Sequence, residues 1–196
     1  TDGSVATWGD SSYGGDSSAV ASQIDGTIDV TQVFSTNGAF AALRADGSVV
    51  TWGNLSYGGD SSAVASQING TVDVIQVFST SGAFAALRAD GSLVTWGGLG
   101  AFGGSAVPSQ IDGSIDVMQV FSTWGAFAAL RADGSVVTWG DPSGGGDNSA
   151  VASHIDGSIN VTQVFSTQNA FAALRADGSV VIWGDPSGGG DSSAVA

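Results

Sequence analysis

The sequence predicts an all-β protein made of tandem repeats, each about 44 residues long and each containing four strands. Three observations support this fold class. The tryptophan of a Trp-Gly pair recurs at positions 8, 52, 96, 139 and 183. An Asp-Gly or Asn-Gly pair, a strong hairpin signal, recurs at roughly half that interval. The segments between these pairs are rich in β-branched and aromatic residues and show no helical periodicity.

Residues 1–196 are predicted to form one repeat array, with four complete units and part of a fifth. The predicted boundaries follow the recurring Asp-Gly pair and are 2–45, 46–89, 90–132, 133–176 and 177–196. The sequence starts and stops inside a repeat, and residues 2–21 closely match residues 177–196. We therefore expect it to be a segment of a longer array.

Each unit is predicted to contain two hairpins. Residues 40–45 and 48–52, for example, form one pair of strands around an Asp-Gly turn, because glycine supplies the positive φ that such turns require. Residues 63–68 and 71–78 form the next pair around an Asn-Gly turn. Four strands per unit give roughly sixteen strands in all.

Two registers of the first hairpin remain open at this point. A two-residue turn pairs Leu43 with Val50, whereas a turn one residue longer pairs Phe40 with Trp52. Either register leaves both faces of the hairpin largely apolar. A sheet with one face in water should alternate more clearly, so we expect these sheets to be covered on both sides.

The repeat resembles that of the regulator-of-chromosome-condensation family of β-propellers. A Val-x-x-Val stretch and then Ala-Leu, Asp-Gly and Trp-Gly pairs follow in fixed order, as in the run from Val30 to Gly53. The family has a histidine where this chain has Phe40, Phe84, Phe127 and Phe171. The resemblance implies propeller blades, and an open stacked array or solenoid is the alternative architecture. Near-identical arrays of this kind occur in large bacterial secreted or surface proteins, which implies an extracellular or cell-surface location.

The charge of the chain excludes two classes of partner. The formal net charge is −14, and the only four cationic side chains are arginines at one repeat position. Nucleic-acid binding depends on neutralising phosphates, so this chain is not expected to bind nucleic acid. Anionic membrane surfaces are excluded for the same reason, and no apolar run is long enough for membrane insertion.

Aspartates in glycine-rich loops are the candidate metal ligands. Calcium prefers six to eight oxygen ligands, which carboxylates and carbonyls of such loops supply. The alternative is that aspartate and serine side chains cap turns by bonding to nearby backbone groups. No cofactor other than calcium is suggested by the sequence. The candidate calcium ligands are Asp10, Asp16, Asp60, Asp141, Asp147, Asp185 and Asp191.

The other recurrent side chains are predicted to build the scaffold. Arg44, Arg88, Arg131 and Arg175 each precede a turn aspartate by two residues and are expected to pair with it or with a loop carbonyl. The repeated tryptophans are expected to lie in the core. Trp124 and His154 break the repeat pattern. We favour sequence variation in a loop that tolerates substitution over a role in a surface contact.

The inventory of reactive side chains argues against an enzyme. The chain has one histidine and no cysteine, lysine or glutamate, which leaves few acid–base or nucleophilic sets. The sequence therefore predicts a non-enzymatic structural or adhesive module of a secreted or surface protein. Its partners would be further copies of itself, or other surface proteins and glycans. The alternative is a propeller that binds a glycan or protein on its loop face.

Overall fold

A computed structural model describes residues 2–98, 102–104 and 107–191. It contains four antiparallel sheets of three strands each, which we number as blades 1 to 4 along the chain. The prediction of an all-β repeat protein with propeller-like blades is confirmed, but the prediction of four strands per unit is wrong. The strands are β1 Val30–Ser35, β2 Ala39–Arg44, β3 Val49–Gly53, β4 Val74–Ser79, β5 Ala83–Arg88, β6 Leu93–Gly97, β7 Val117–Ser122, β8 Ala126–Arg131, β9 Val136–Gly140, β10 Val161–Ser166, β11 Ala170–Arg175 and β12 Val180–Gly184.

The predicted second hairpin is replaced by a 3-10 helix and a short bridge. Ser62–Gln67 is helical because Asp60 Oδ1 accepts a hydrogen bond from the Ser62 amide and starts a turn. Within the described residues, 63–68 do not pair with 71–78, and an isolated bridge joins Asn69 to Ser48 instead. The equivalent segments of other units are also 3-10 helices: Ser18–Gln23, Ser109–Ile111 and Ala152–His154. The described residues therefore hold twelve strands rather than sixteen.

Further single-turn 3-10 helices follow the Trp-Gly pairs. Each of the helices given below begins with an Asp or Asn at its N-cap. The side chain of that residue accepts a hydrogen bond from the backbone amide two residues later. A glycine with positive φ ends each of them. These helices are Ser11–Tyr13, Leu55–Tyr57, Pro142–Gly144 and Pro186–Gly188.

The longer turn sets the register of the first hairpin. The Arg44 amide donates to the Ser48 carbonyl at 2.9 Å, so three residues form the loop. Gly47 has φ +74°, as the left-handed position of such a loop requires. Phe40 therefore pairs with Trp52, and the same register recurs in every blade.

Consecutive blades stack face to face, and the same contact occurs at all three junctions between them. One face of blade 1 carries Ala41 and Leu43, which are buried against Val77, Phe84 and Trp96 of blade 2. Equivalent side chains join blades 2 and 3, and blades 3 and 4. We call the face toward the following blade the trailing face and the opposite one the leading face. The apolar character of both faces predicted from the sequence is explained by this stacking.

A ladder of backbone hydrogen bonds also joins the blades. It runs through the loops between the first and second strands, which we call the ladder loops (residues 36–38, 80–82, 123–125 and 167–169). Asn37 N–H donates to the Ser81 carbonyl, Ser81 N–H to the Trp124 carbonyl and Trp124 N–H to Gln168, at 2.8–2.9 Å. The ladder gives the array a direction, because every amide points toward the following blade.

Candidate functional site

An aromatic cluster that the repeat does not predict lies against the ladder loops. Trp124 is 42% exposed and packs against Phe102 with ring centroids 5.1 Å apart. Phe102 in turn lies 5.9 Å from Tyr57. Tyr57 follows the last strand of blade 1, Phe102 follows that of blade 2 and Trp124 lies within blade 3, so one non-repeated surface is formed across blades 1 to 3. Leu55, which is also exposed, lies beside Phe102 along a shallow groove.

Threonine hydroxyls fix the backbone beneath this aromatic cluster. Thr36 Oγ1 donates to the Tyr57 carbonyl at 2.8 Å, and Thr80 Oγ1 donates to the Phe102 carbonyl at 2.6 Å. The same hydroxyls accept from the amides of Ala39 and Ala83, the first residues of β2 and β5. Each glycine-rich loop is thus attached to a ladder loop, and the cluster is held on a rigid base.

The repeated tryptophans lie in the core, as predicted, with one exception. In each blade the tryptophan stacks on the phenylalanine of the neighbouring strand, with centroids 5.3–5.5 Å apart. Trp96 Nε1 donates to the carbonyl of Gly58 in the preceding unit. Trp139 Nε1 has no such acceptor among the described residues. Trp8 differs because it lies outside the four sheets and is 85% exposed.

The arginines form the local pairs that the sequence predicted. Arg44 contacts Asp46 at 3.2 Å, and its Nε donates to Ser48 Oγ at 2.7 Å. Equivalent ion pairs connect Arg88, Arg131 and Arg175 to the aspartates two residues later. Arg131 additionally donates to the Gln110 carbonyl at 3.0 Å and so ties its turn to the 3-10 helix Ser109–Ile111 of the same unit. These contacts stabilise turns and do not present a row of free cations.

Hydrogen bonds hold the pKa of many aspartates below its ordinary value. For Asp90, burial raises the pKa, but the hydroxyl and amide of Ser92 and the charge of Arg88 lower it by more. For Asp16, the dominant cause is the bond from the Ser18 amide. The aspartates with a lowered pKa are Asp2, Asp16, Asp25, Asp46, Asp60, Asp90, Asp112, Asp133, Asp147, Asp156, Asp177 and Asp185.

These shifts predict that the fold weakens in acid. A carboxyl whose pKa is lower in the folded state contributes stability above its unfolded pKa, and this is lost as pH falls through the folded pKa. We therefore expect the free energy of unfolding, measured with urea, to fall steadily below about pH 4. Asp90→Asn should make that fall shallower, because asparagine keeps the turn but does not titrate. Asn69 shows the turn is kept, since its Oδ1 accepts from the Thr71 amide at 3.0 Å. If the free energy of unfolding of this variant fell with pH as steeply as that of the wild type, Asp90 would not be one of the carboxyls that cause the loss of stability in acid.

The candidate calcium ligands are distributed along the loops as turn caps. Asp10, Asp141 and Asp185 each accept from the amide two residues on, at 2.8–2.9 Å. The same contact is made by Asp16, Asp60 and Asp147. Asp191 also has a partner within the structure. Over residues 2–98, 102–104 and 107–191, no three His, Cys, Asp or Glu side chains meet in a group that could hold a metal ion.

Calcium binding stays a prediction with a thermal test. If the loops hold calcium, removing it with EDTA should lower the Tm by several degrees, because a ligand that binds only the folded state stabilises it. Adding calcium back should restore the Tm, whereas magnesium serves as the control cation. A melting curve unchanged by EDTA would leave these carboxylates with the turn-capping role alone.

His154, which breaks the repeat pattern, lies on the surface. Its exposed ring lies 3.4 Å from the hydroxyl of the adjacent Ser153 at the end of a 3-10 helix.

No helix in the described ranges has the length and apolar character needed to cross a membrane.

Comparison with known proteins identifies a fold. No family model and no curated protein matches the chain. Among solved structures it is similar to Prp20p from Saccharomyces cerevisiae, at 18% identity and a TM-score of 0.54 over 80% of this chain and 44% of that one. Yeast RCC1 (Prp20) bound by Kap60 gives 18% identity and a TM-score of 0.55, over 80% and 43% of the two chains.

A third similar structure is the ectodomain of the Physcomitrella patens receptor kinase CR4, at 14% identity and a TM-score of 0.51. That match covers 81% of this chain and 39% of the ectodomain. The chain thus spans less than half the length of the solved structures named here. The likeness confirms the β-propeller-like fold that the repeat pattern predicted.

Proposed function

We propose that this chain is a non-enzymatic structural or adhesive repeat module of a secreted or cell-surface protein. The proposal is supported by how the recurrent side chains are used. The phenylalanine, tryptophan, threonine and arginine of each unit bind their own blade or the neighbouring one. Stacked units that contact only their neighbours form a rigid body whose stability comes from repetition.

The test combines location and shape. Antibodies raised against the chain should label intact cells of its source or detect it in the medium. Electron micrographs of the purified protein should show rigid curved particles or arrays built from them. Labelling that appears only after lysis would contradict the surface location, and flexible, featureless particles would contradict the structural role.

A second candidate function is the binding of a protein or glycan by the aromatic cluster. Exposed tryptophan and tyrosine are enriched at the energetic centres of protein interfaces, and Trp124 is held against Phe102 on a fixed backbone. The similar Prp20p is described by its binding to Gsp1p and histones, which supports a protein ligand as one class. An aromatic surface of this kind also suits the apolar face of a sugar ring.

The second function is tested with two exposed tryptophans of the same chain. Trp124→Ala should abolish any binding found on a glycan array or with surface proteins of the source. Trp8→Ala is the matched control, because Trp8 is exposed but lies outside the cluster. Binding that survives Trp124→Ala, or that is lost equally in both variants, would contradict the site.

A further inference from the structure

Two Asn-Gly pairs occur in the chain, and they lie in different surroundings. Asn37-Gly38 belongs to the ladder loop of blade 1, and Asn69-Gly70 lies in the turn after the 3-10 helix Ser62–Gln67. An asparagine side chain can react with the nitrogen of the residue that follows it. Glycine hinders this reaction least, because it has no Cβ to shield its nitrogen. The surroundings of each pair therefore decide whether the reaction takes place.

Asn69 is held in an arrangement from which this reaction can start. Its side chain is exposed, and its Oδ1 accepts a hydrogen bond from the Thr71 amide at 3.0 Å. A bond of this kind closes a ring over the intervening residue, so the side-chain carbonyl carbon faces the nitrogen of Gly70. The same bond donates to the oxygen on which negative charge develops when that carbon is attacked. The turn thus both positions and activates the carbonyl group.

The nitrogen of Gly70 is available for the attack. Within the described residues, the Gly70 N–H makes no hydrogen bond of good geometry. The adjacent bridge to Ser48 is held by Val49 N–H, which donates to the Ile68 carbonyl at 2.9 Å. Gly70 is partly exposed, so water can reach the pair. No well-formed hydrogen bond of the Gly70 amide has to break before its nitrogen attacks.

The Asn37-Gly38 pair lacks this arrangement. The amides of Gly38 and Ala39 donate to Thr36 Oγ1, at 3.4 and 3.1 Å, rather than to the Asn37 side chain. Gly38 is buried, and the Asn37 N–H is bound to the Ser81 carbonyl of the ladder at 2.8 Å. Closing a ring at Asn37 would require the backbone to rotate and would break these bonds. The carbonyl of Asn37 is therefore neither positioned nor activated.

Asn54 provides the opposite comparison, with the same turn but a different residue after it. Its Oδ1 accepts from the Ser56 amide at 2.9 Å, as that of Asn69 does from Thr71. The next residue is Leu55, whose side chain shields its nitrogen and whose backbone is fixed in a 3-10 helix. Of these three asparagines, Asn69 alone has both the turn and a following glycine.

We propose that Asn69-Gly70 is a site of spontaneous deamidation, at which the folded chain converts asparagine to aspartate and isoaspartate. The Gly70 nitrogen bonds to Cγ of Asn69, and the bond from Cγ to the side-chain nitrogen breaks. Ammonia leaves with the proton that the Gly70 nitrogen gives up, and a five-membered imide remains. Water then opens the imide at one of its two carbonyl carbons. Opening at Cγ gives aspartate, and opening at the backbone carbonyl carbon gives isoaspartate.

The aspartate product suits this position, because three other units already have it. Asp25, Asp112 and Asp156 stand where Asn69 stands, and each accepts from the amide two residues later at 2.8–2.9 Å. Bonds from the hydroxyl and the amide of Ser114 hold the pKa of Asp112 below its ordinary value. The aspartate form therefore keeps the turn and adds one negative charge at neutral pH.

The isoaspartate product does not suit the turn, because it adds a methylene group to the backbone. The space beside Gly70 is already filled, since a Cβ added there would lie 2.6 Å from the carbonyl oxygen of Asp46. The lengthened backbone would also displace the Ile68 carbonyl from the Val49 amide. We therefore expect the isoaspartate form, and not the aspartate form, to be less stable than the unmodified chain.

Peptide mass spectrometry of the aged, folded chain tests the site. The chain is kept in mildly alkaline buffer below its Tm and then digested with pepsin in acid, and fragment spectra assign the residue that has exchanged its amide for a carboxyl group. We expect Asn69 to react about tenfold faster than Asn37 and Asn54, because one hydrogen bond more or less changes the barrier by about that factor. In urea, Asn37 and Asn69 should react at similar rates, since both are then followed by an unprotected glycine.

Two results would overturn the proposal. The first is an equal rate at Asn37 and Asn69 in the folded chain. The second is a rate at Asn69 that is lower in the folded chain than in urea, which would mean that the turn protects the side chain. Asn69→Asp reproduces one product alone, and we expect its Tm to equal that of the fresh wild type. A lower Tm in this variant would contradict the fit of aspartate to the turn. The site is independent of the function proposed above.

Discussion

Replacing Phe84 by alanine should lower the free energy of unfolding by about 3–5 kcal/mol. The Phe84 side chain is completely buried between blades 1 and 2 and stacks on Trp96 with ring centroids 5.4 Å apart. Its removal leaves a cavity at a junction between blades, where neither sheet can move inward without breaking the ladder bonds. Urea unfolding followed by tryptophan fluorescence measures the change, and we expect the Tm to fall by about 10 °C.

Phe165→Ala is the control for this prediction. It removes the same atoms from a side chain that is 56% exposed on the outer face of blade 4. At protein concentrations low enough to prevent association, we expect a change of less than about 1 kcal/mol. Equal losses in the two variants would show that burial between blades does not set the stability of the array.

The sequence predicts the blade and its stacking because both depend on periodic signals. Asp-Gly and Trp-Gly pairs locate the hairpin formed by β2 and β3, and the apolar character of both faces indicates that sheets cover sheets. The arginine at each turn is also predictable, since a carboxylate lies two residues away in sequence. These features are local, or they repeat, and so the sequence alone contains enough information.

The prediction of a second hairpin is wrong because local hydrogen bonds favour a turn over a strand. Val64 lies in a segment whose apolar residues suit a strand, but Asp60 and Ser61 start a turn that continues as a 3-10 helix. Hydrogen bonds from short polar side chains to the backbone compete with strand pairing, and here they prevail. The choice between the two registers is likewise made by Asp46, whose carboxylate closes the turn by accepting from the Ser48 amide and hydroxyl.

The aromatic cluster is harder to predict because its three rings lie at three different blades. Trp124 is visible in the sequence as a break in the repeat, and Phe102 lies in the only loop that differs in length. Their contact depends on how the ladder loops of blades 2 and 3 align, which periodicity does not specify. A break in a near-identical repeat is therefore a useful signal for a site, and the fold is needed to identify its partners.

Gly58→Ala should be as damaging as the loss of a large core side chain, although it adds only one methyl group. Gly58 has φ +98°, where an L-residue costs about 1–2 kcal/mol. An added Cβ would lie 2.7 Å from Cδ2 of Phe84. The ring cannot move away because it is fully buried and stacked on Trp96, so overpacking adds about 1–3 kcal/mol.

Gly189→Ala separates the two causes, because Gly189 occupies the same repeat position after blade 4. Its φ is +101°, but the nearest atom to an added Cβ is Thr167 Cγ2, at 3.9 Å. We therefore expect this variant to show the backbone cost alone, and the difference between the two losses to measure how closely one unit approaches the next blade. If both variants lost the same stability, the junctions between blades would be too loosely packed to sense a methyl group. The model of a rigid stacked array would then have to be abandoned.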